Sequence, residues 1–166
     1  MSNKTQLLGV SGEYYVAHIL TRNGIQAALL QHGARDIDIL ASSNDGARNV
    51  SIQVKTAACP CHNKWYNMGA GRLWQIGSIP ELSKNKWHAF LDFSEDMPKY
   101  VFVPSNWVAE FSRESDSRKV FYLLDECFEF VKSKDWLVRY LRDGVEIEDS
   151  FWHLPANNAR KLADYI

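Results

Sequence analysis

Arg35-Asp36-Ile37-Asp38-Ile39-Leu40-Ala41 and, beyond a polar turn, Val50-Ser51-Ile52-Gln53-Val54-Lys55-Thr56 decide how this chain is read. Ile37 to Ser42 and Asn49 to Thr56 each have strand character, with Ser43-Asn44-Asp45-Gly46 between them. Asn, Asp and Gly accept the left-handed backbone of a tight turn, so an antiparallel hairpin is expected. Side chains alternate faces along a strand. Val50, Ile52 and Val54 then share a face suited to a core, and Ser51, Gln53 and Lys55 share the other. On the first strand Asp36, Asp38 and Leu40 fall together. Asp38 comes opposite Ile52 or Gln53, so the two acids, Gln53 and Lys55 converge at the hairpin end away from its turn. Ile37 to Ala41 is apolar except at Asp38, as in a strand covered on both faces. The plainer alternative is an exposed hairpin with Lys55 in a salt bridge to Asp36 or Asp38. Acids at the mouth of a buried strand speak against it.

Upstream, Leu7 to Asn23 reads as an amphipathic helix stopped by Gly24. On a helical wheel Gly9, Val10, Val16, Ala17 and Leu20 fall within roughly 60° of Glu13, while Ser11, Tyr15, His18 and Arg22 fall on the far side. A carboxylate in an apolar stripe must find a cation, a metal or a hydrogen-bond donor, or else take up a proton. The plainer reading is a Glu near the helix start that favours the dipole or folds back to water. Ile25 to Leu30 reads as a first strand, and Gln31 to Arg35 as a loop. This helix, packed across the sheet, brings Glu13 toward Asp38 and Lys55.

Downstream, Ala57 to Arg72 reads as a loop. Its Lys64, Trp65 and Arg72 combine base-stacking and phosphate-contacting chemistry. A loop that uses its Trp for packing accounts for them as well. Cys59-Pro60-Cys61-His62 lacks the ligand spacing of a zinc site and has no second ligand pair. Leu73 to Ile79 reads as a short strand and Pro80 to Lys86 as a turn or single helical turn. Lys86 to Phe93 and Tyr100 to Val103 form a second hairpin. Ser105 is expected to cap a helix from Asn106 to about Ser112. Arg113 to Lys119 reads as a charged loop, and Val120 to Val131 as strand or helix. Ser133 is expected to cap a helix from Lys134 to Arg142 closed by Gly144, and Pro155 to open a last helix to Ile166.

The whole chain, 166 residues with 46% apolar content, suits one folded domain spanning 1–166. It contains no run of about 18 apolar residues that would span a bilayer, and its start lacks the apolar segment of a secretory signal. Three cysteines, an odd and sparse set, favour a reducing, cytoplasmic setting. The net charge of −1 gives no global attraction to a polyanion. Residues 1–90, however, hold nine Lys/Arg against five Asp/Glu, and three of those five acids are Glu13, Asp36 and Asp38. Residues 91–166 hold ten against fifteen.

The ordered set of helix acid, strand, acid-bearing strand, turn and a strand ending Gln53-Val54-Lys55 resembles the PD-(D/E)XK nuclease superfamily. It looks closest to the branch with archaeal Holliday-junction resolvases and Mrr-type endonucleases. Gly12-Glu13 resembles the family's helix-one Gly-Glu, and Asp38-Ile39-Leu40-Ala41 its aspartate before an apolar strand. Gln53-Val54-Lys55 matches the variant with glutamine in place of the acid, which leaves the site one negative charge short. Trp87 to Pro104 is similar to the strand pair that follows the motif. The resemblance implies a restriction-endonuclease-like α/β (α+β) fold: an αβββαβ core over about 7–104, a mixed sheet flanked by helices, and a C-terminal helical elaboration over about 105–166. It implies a Mg2+- or Mn2+-dependent nuclease cutting duplex or branched DNA, with Glu13, Asp38, Gln53 and the Val54 carbonyl as ligands. Lys55 would act on the attacking water, and Asp36 would be a secondary acid. It also implies a homodimer, with Trp and Phe residues of the second half at the interface. A catalytically silent module of the same fold, binding nucleic acid or a protein partner, is the alternative.

Overall fold

The computed structural model describes residues 3–30, 36–59, 71–77, 85–115 and 118–145. Helix α1 (Asn3–Arg22) leads into β1 (Gln26–Leu29), β2 (Ile39–Ser42) and β3 (Asn49–Ala57). After β4 (Gly71–Gln75) come β5 (Lys86–Asp92) and β6 (Lys99–Pro104). Then follow α2 (Ser105–Phe111), β7 (Ser112–Ser115), β8 (Arg118–Leu124), α3 (Asp125–Lys134) and α4 (Trp136–Asp143). Five strands form a mixed sheet in the order β1-β2-β3-β5-β6, with β3 and β5 parallel and the other pairs antiparallel. The remaining three form a second, antiparallel sheet, β4-β8-β7. This is a mixed α+β architecture with a central mixed sheet flanked by helices.

The expected hairpin of β2 and β3 is present, with Ile39 opposite Ile52 and Ala41 opposite Val50. Its turn closes with the Gly46 N–H donating to the Ser43 carbonyl, and Gly46 has a φ of 70°. Ile39, Ala41, Val50 and Ile52 are buried, as one core-facing side requires. The other face is open: Leu40 is 46% exposed, so β2 is not covered on both sides. The cause is that α1 covers a single face of β1 to β3.

Helix α1 buries Gly12, Val16 and Leu20, one residue per turn. A glycine inside a helix costs about 1 kcal/mol relative to alanine. Gly12 is explained by contact: a Cβ there would lie 2.1 Å from the Thr56 Cγ2 and 3.5 Å from the Val54 Cγ1. The helix backbone rests directly on β3. Tyr15, placed on the far side by the wheel, is partly covered, because its ring meets Tyr100 and Phe93 edge-on and its hydroxyl donates to the Pro98 carbonyl.

The second sheet packs on β5 through aromatic rings. Phe90 stacks on Phe121 with centroids 4.5 Å apart and meets Trp74 at 5.0 Å. The Trp74 Nε1–H donates to the Leu91 carbonyl at 3.0 Å, so the indole fills the layer and satisfies its polar edge. Within the charged stretch read as a loop, 113–115 and 118–119 are strand residues, paired antiparallel in β7 and β8. Its polar composition suits β7 as a sheet edge, where charges discourage pairing with other chains. Val120 to Val131 resolves into both elements, the strand ending at Leu124 and α3 starting at Asp125.

Two expected caps are replaced. Ser105 is the first residue of α2 rather than its cap, and its hydroxyl is engaged by His88. Ser133 lies within α3, and the break before α4 is Asp135, with a φ of 41°. Gly144 does close α4, with a φ of 69°. The readings of 80–84 as a turn and of 155–166 as a helix fall outside the described residues. Of the Trp and Phe residues offered as a dimer surface, Trp107, Phe121, Phe128 and Trp136 are buried in the core. Among the described residues no helix is long and apolar enough to cross a membrane.

Candidate active site

The hairpin of β2 and β3 opens at its end away from the turn. Asp38 sits there. Its N–H donates to the Ile52 carbonyl at 2.9 Å, although Ile52 already has Ile39 as register partner. Two successive residues thus address one, the pattern of a β-bulge, which re-aims a side chain. The Asp38 carbonyl accepts the Leu30 N–H at 2.9 Å, so its backbone is held from both neighbouring strands. Just before it Asp36 takes a φ of 63°, a conformation Asp tolerates better than most residues. Register pairing of β2 with β3 begins only at Ile39. The simple alternation that put Asp36, Asp38 and Leu40 on one face therefore ends at Ile39.

Val54 lies beyond that register, and its N–H bonds to a side chain on the β2 side. Asp38 Oδ2 accepts the Val54 N–H at 2.6 Å, a charge-assisted bond. In an extended strand the N–H and C=O of one residue point the same way, so the Val54 carbonyl also faces the Asp38 side of β3.

Lys55 follows. Its side chain lies on the face opposite α1, beside Phe90 in register. The second sheet covers this face at β5, and burial pulls the Lys55 ammonium below its ordinary pKa. Asp38 and then Asp36 oppose this, while the positive Lys86 reinforces it.

Gln53 lies two residues before Lys55 on the same face, next to His88 in register. Its Oε1 is 3.0 Å from the His88 Nε2, and the His88 Nδ1 is 3.1 Å from the Ser105 Oγ. His88 is fully buried, and its ring lies nearly parallel to Phe90, 14° between planes. Burial first, then the charges of Lys55 and Lys86, push its pKa down to about 3, so the imidazole is neutral near pH 7. Sequence reasoning missed His88, which stands inside an apolar strand where only the parallel register of β3 and β5 reveals its neighbour.

Glu13 is half-buried beside Gly12, at the level of Val54 and Thr56, on the face of β3 opposite Lys55. The structure thus brings Asp38, Asp36, Gln53 and Lys55 to one end of the hairpin and presents Glu13 from the other face. Among the described residues no three His, Cys, Asp or Glu side chains gather into a metal-holding cluster. The oxygens at the fork are the Asp38 carboxylate, the Gln53 amide and the Val54 carbonyl, a hard donor set that fits Mg2+ or Mn2+ better than a softer ion.

Arg72 is not available to a nucleic acid. It is only 8% exposed, ion-paired with Asp92 at 3.0 Å and with Asp125, and its guanidinium lies 4.1 Å from the Phe128 ring centroid. Its cation is committed between the sheets. Lys64 and Trp65 lie outside the described residues, as do Cys61 and His62. Beside the site an open groove of about 570 Å³ runs over the uncovered face of β1 to β3, lined by Ala28, Leu40, Ser42, Ser51 and Asn85 among others.

No protein-family model and no curated protein matches the chain. Among solved structures it is similar to Hjc, a Holliday junction resolvase of Archaeoglobus fulgidus, at 15% identity and a TM-score of 0.46, covering 74% of this chain and 88% of that one.

Proposed function

We propose that this protein is a nuclease hydrolysing phosphodiester bonds in DNA with a divalent ion. The observation that carries the reading is the fork of β2 and β3. There a bulged aspartate, bonded to the Val54 N–H, stands beside a lysine whose pKa burial lowers against the opposing pull of two acids. Asp38, Gln53 and the Val54 carbonyl would hold the ion, and Glu13 would contribute from the opposite face through water. The ion, when bound, supplies Lewis-acid activation of water and neutralises phosphate charge. Lys55 orients the attacking water and stabilises charge on the phosphoryl oxygens. As the water oxygen bonds to phosphorus, the P–O bond to the leaving sugar oxygen breaks, and that oxygen takes a proton. Lys86 and Lys55 make this face attractive to a polyanion, and the groove over β1 to β3 gives a strand room beside the site.

The test is cleavage of linear, nicked and branched DNA with and without Mg2+ or Mn2+, alongside calorimetric titration of the ion. Asp38→Ala and Lys55→Ala are each expected to lower cleavage at least about 100-fold, a loss typical of removing one charge-stabilising group. Asp38→Ala should also weaken ion binding, and Lys55→Ala should leave it intact. Metal-dependent cutting that survives in both variants overturns the assignment. A second reading, a silent DNA-binding module, is favoured by the absence of a three-acid cluster among the described residues. Binding without cutting on every substrate would select it.

A further inference from the structure

We propose that His88 is a positioning residue that makes the Gln53 amide oxygen serve where an acid would otherwise stand. The inference deepens the nuclease reading and rests on it for the role of Gln53. The Ser105 Oγ, His88 ring and Gln53 Oε1 form a continuous chain of 3.1 and 3.0 Å contacts from the first turn of α2 to the open face of the sheet. Oε1 has no proton, so the Nε2–H must be the donor. The Ser105 hydroxyl then donates to Nδ1, and this fixes the tautomer. One lone pair of Oε1 is taken by the ring, and the amide plane is held so that the other faces away from β5.

Two consequences follow for the site. The N–H polarises the amide carbonyl, raising the negative charge on its oxygen and offsetting part of the charge that a carboxylate would have carried. The amide is also prevented from turning its NH2 toward a cation. His88 can do this because it cannot move: it is fully buried, paired in register with Gln53, and stacked on Phe90. Ser105 is likewise buried, and Pro104 before it pairs with Trp87 on β5. The relay is anchored at both ends in ordered backbone.

The experiment combines nitrogen NMR with ion titration. In the unmodified protein the His88 ring should carry its proton on Nε2, and the Gln53 side-chain amide should be ordered. His88→Phe keeps the ring over Phe90 and removes both nitrogens. It is expected to release the Gln53 amide and to weaken Mg2+ or Mn2+ binding about ten-fold or more, as loss of a ligand's supporting partner does. His88→Gln places an amide N–H near the position of Nε2 and should restore binding to within a few-fold. A proton on Nδ1, or ion affinity unchanged in His88→Phe, overturns the proposal. If His88→Phe fails to fold, the tautomer in the unmodified protein and the behaviour of His88→Gln and Ser105→Ala decide it. If the unmodified protein neither binds the ion nor cuts DNA, the nuclease reading fails. The tautomer and the order of Gln53 then still show whether the relay exists.

Discussion

Single residues here act through what buries them. Arg72 reads in the sequence as a surface base beside aromatics, yet it closes the gap between the two sheets. Burial works against charge on Asp92, but the Ser94 hydroxyl and N–H and the Arg72 guanidinium hold its carboxyl below the usual range. Removing one partner of a buried pair leaves the other charge uncompensated, a loss of about 3–5 kcal/mol. Arg72→Met is expected to lose that order of stability in urea unfolding, and Arg72→Met with Asp92→Asn should recover part of it. A loss below about 1 kcal/mol would show the pair to be incidental. The same distinction explains what was legible. Asp38, Gln53 and Lys55 announce themselves because polar residues at fixed spacing interrupt apolar strands. Arg72 and His88 do not, because their partners, Asp92 and Gln53, are brought to them only by the folded sheet.

At the scale of elements, the seat of α1 on β3 and the joint between α3 and α4 carry separate expectations. Gly12→Ala would drive a methyl into the Thr56 Cγ2 and push the helix off β3, at a cost of about 1–3 kcal/mol. Thr56→Ala removes that methyl, so in a double-mutant cycle the two changes should be far from additive. Additive losses would mean that the helix finds another seat. At the joint, burial raises the Asp135 carboxyl to about 6, against the pull of Arg142 and the Tyr100 hydroxyl. Its folded pKa lies above its unfolded value of 3.8. Its contribution is therefore fully present below about pH 4 and is lost as pH rises through about 6. Asp135→Asn keeps an acceptor for Tyr100 and suits the left-handed backbone. It should be more stable than the unmodified protein above pH 6 by about 1–2 kcal/mol, the shift discounted for partial exposure. Thermal unfolding across pH 4–8 reads this, and the difference should vanish toward pH 4. The helix, the hairpin and the strands at 86–104 were visible because their periodicity is local. The second sheet was not, since charged β7 has the composition of a loop and β8 runs into α3 without a turn residue.

The molecule as a whole places one sheet against another so that the covered half of a sheet face becomes the wall of the open half. Gln53 and Lys55, both partly buried, stand at the edge of the covered half, in register with the fully buried His88 and Phe90. Lys55 owes its depressed pKa to this boundary more than to any single neighbour, since burial is the leading cause.

The parallel pairing of β3 with β5 has a further consequence, for the order in which the protein acquires its properties. The β2–β3 hairpin can close as soon as Asn49 to Ala57 has been made. The crossover to Lys86 must be traversed before β5 can dock, and long-range pairing is slow. A growing chain short of Lys86 holds Glu13, Asp36, Asp38, Gln53 and Lys55 but has neither the imidazole nor the aromatic wall. Pulse-labelled hydrogen exchange during refolding should show the amides shared by β2 and β3 protected before those shared by β3 and β5. In that interval the lysine is an ordinary solvated amine, and the chain carries the residues of the site without its chemistry.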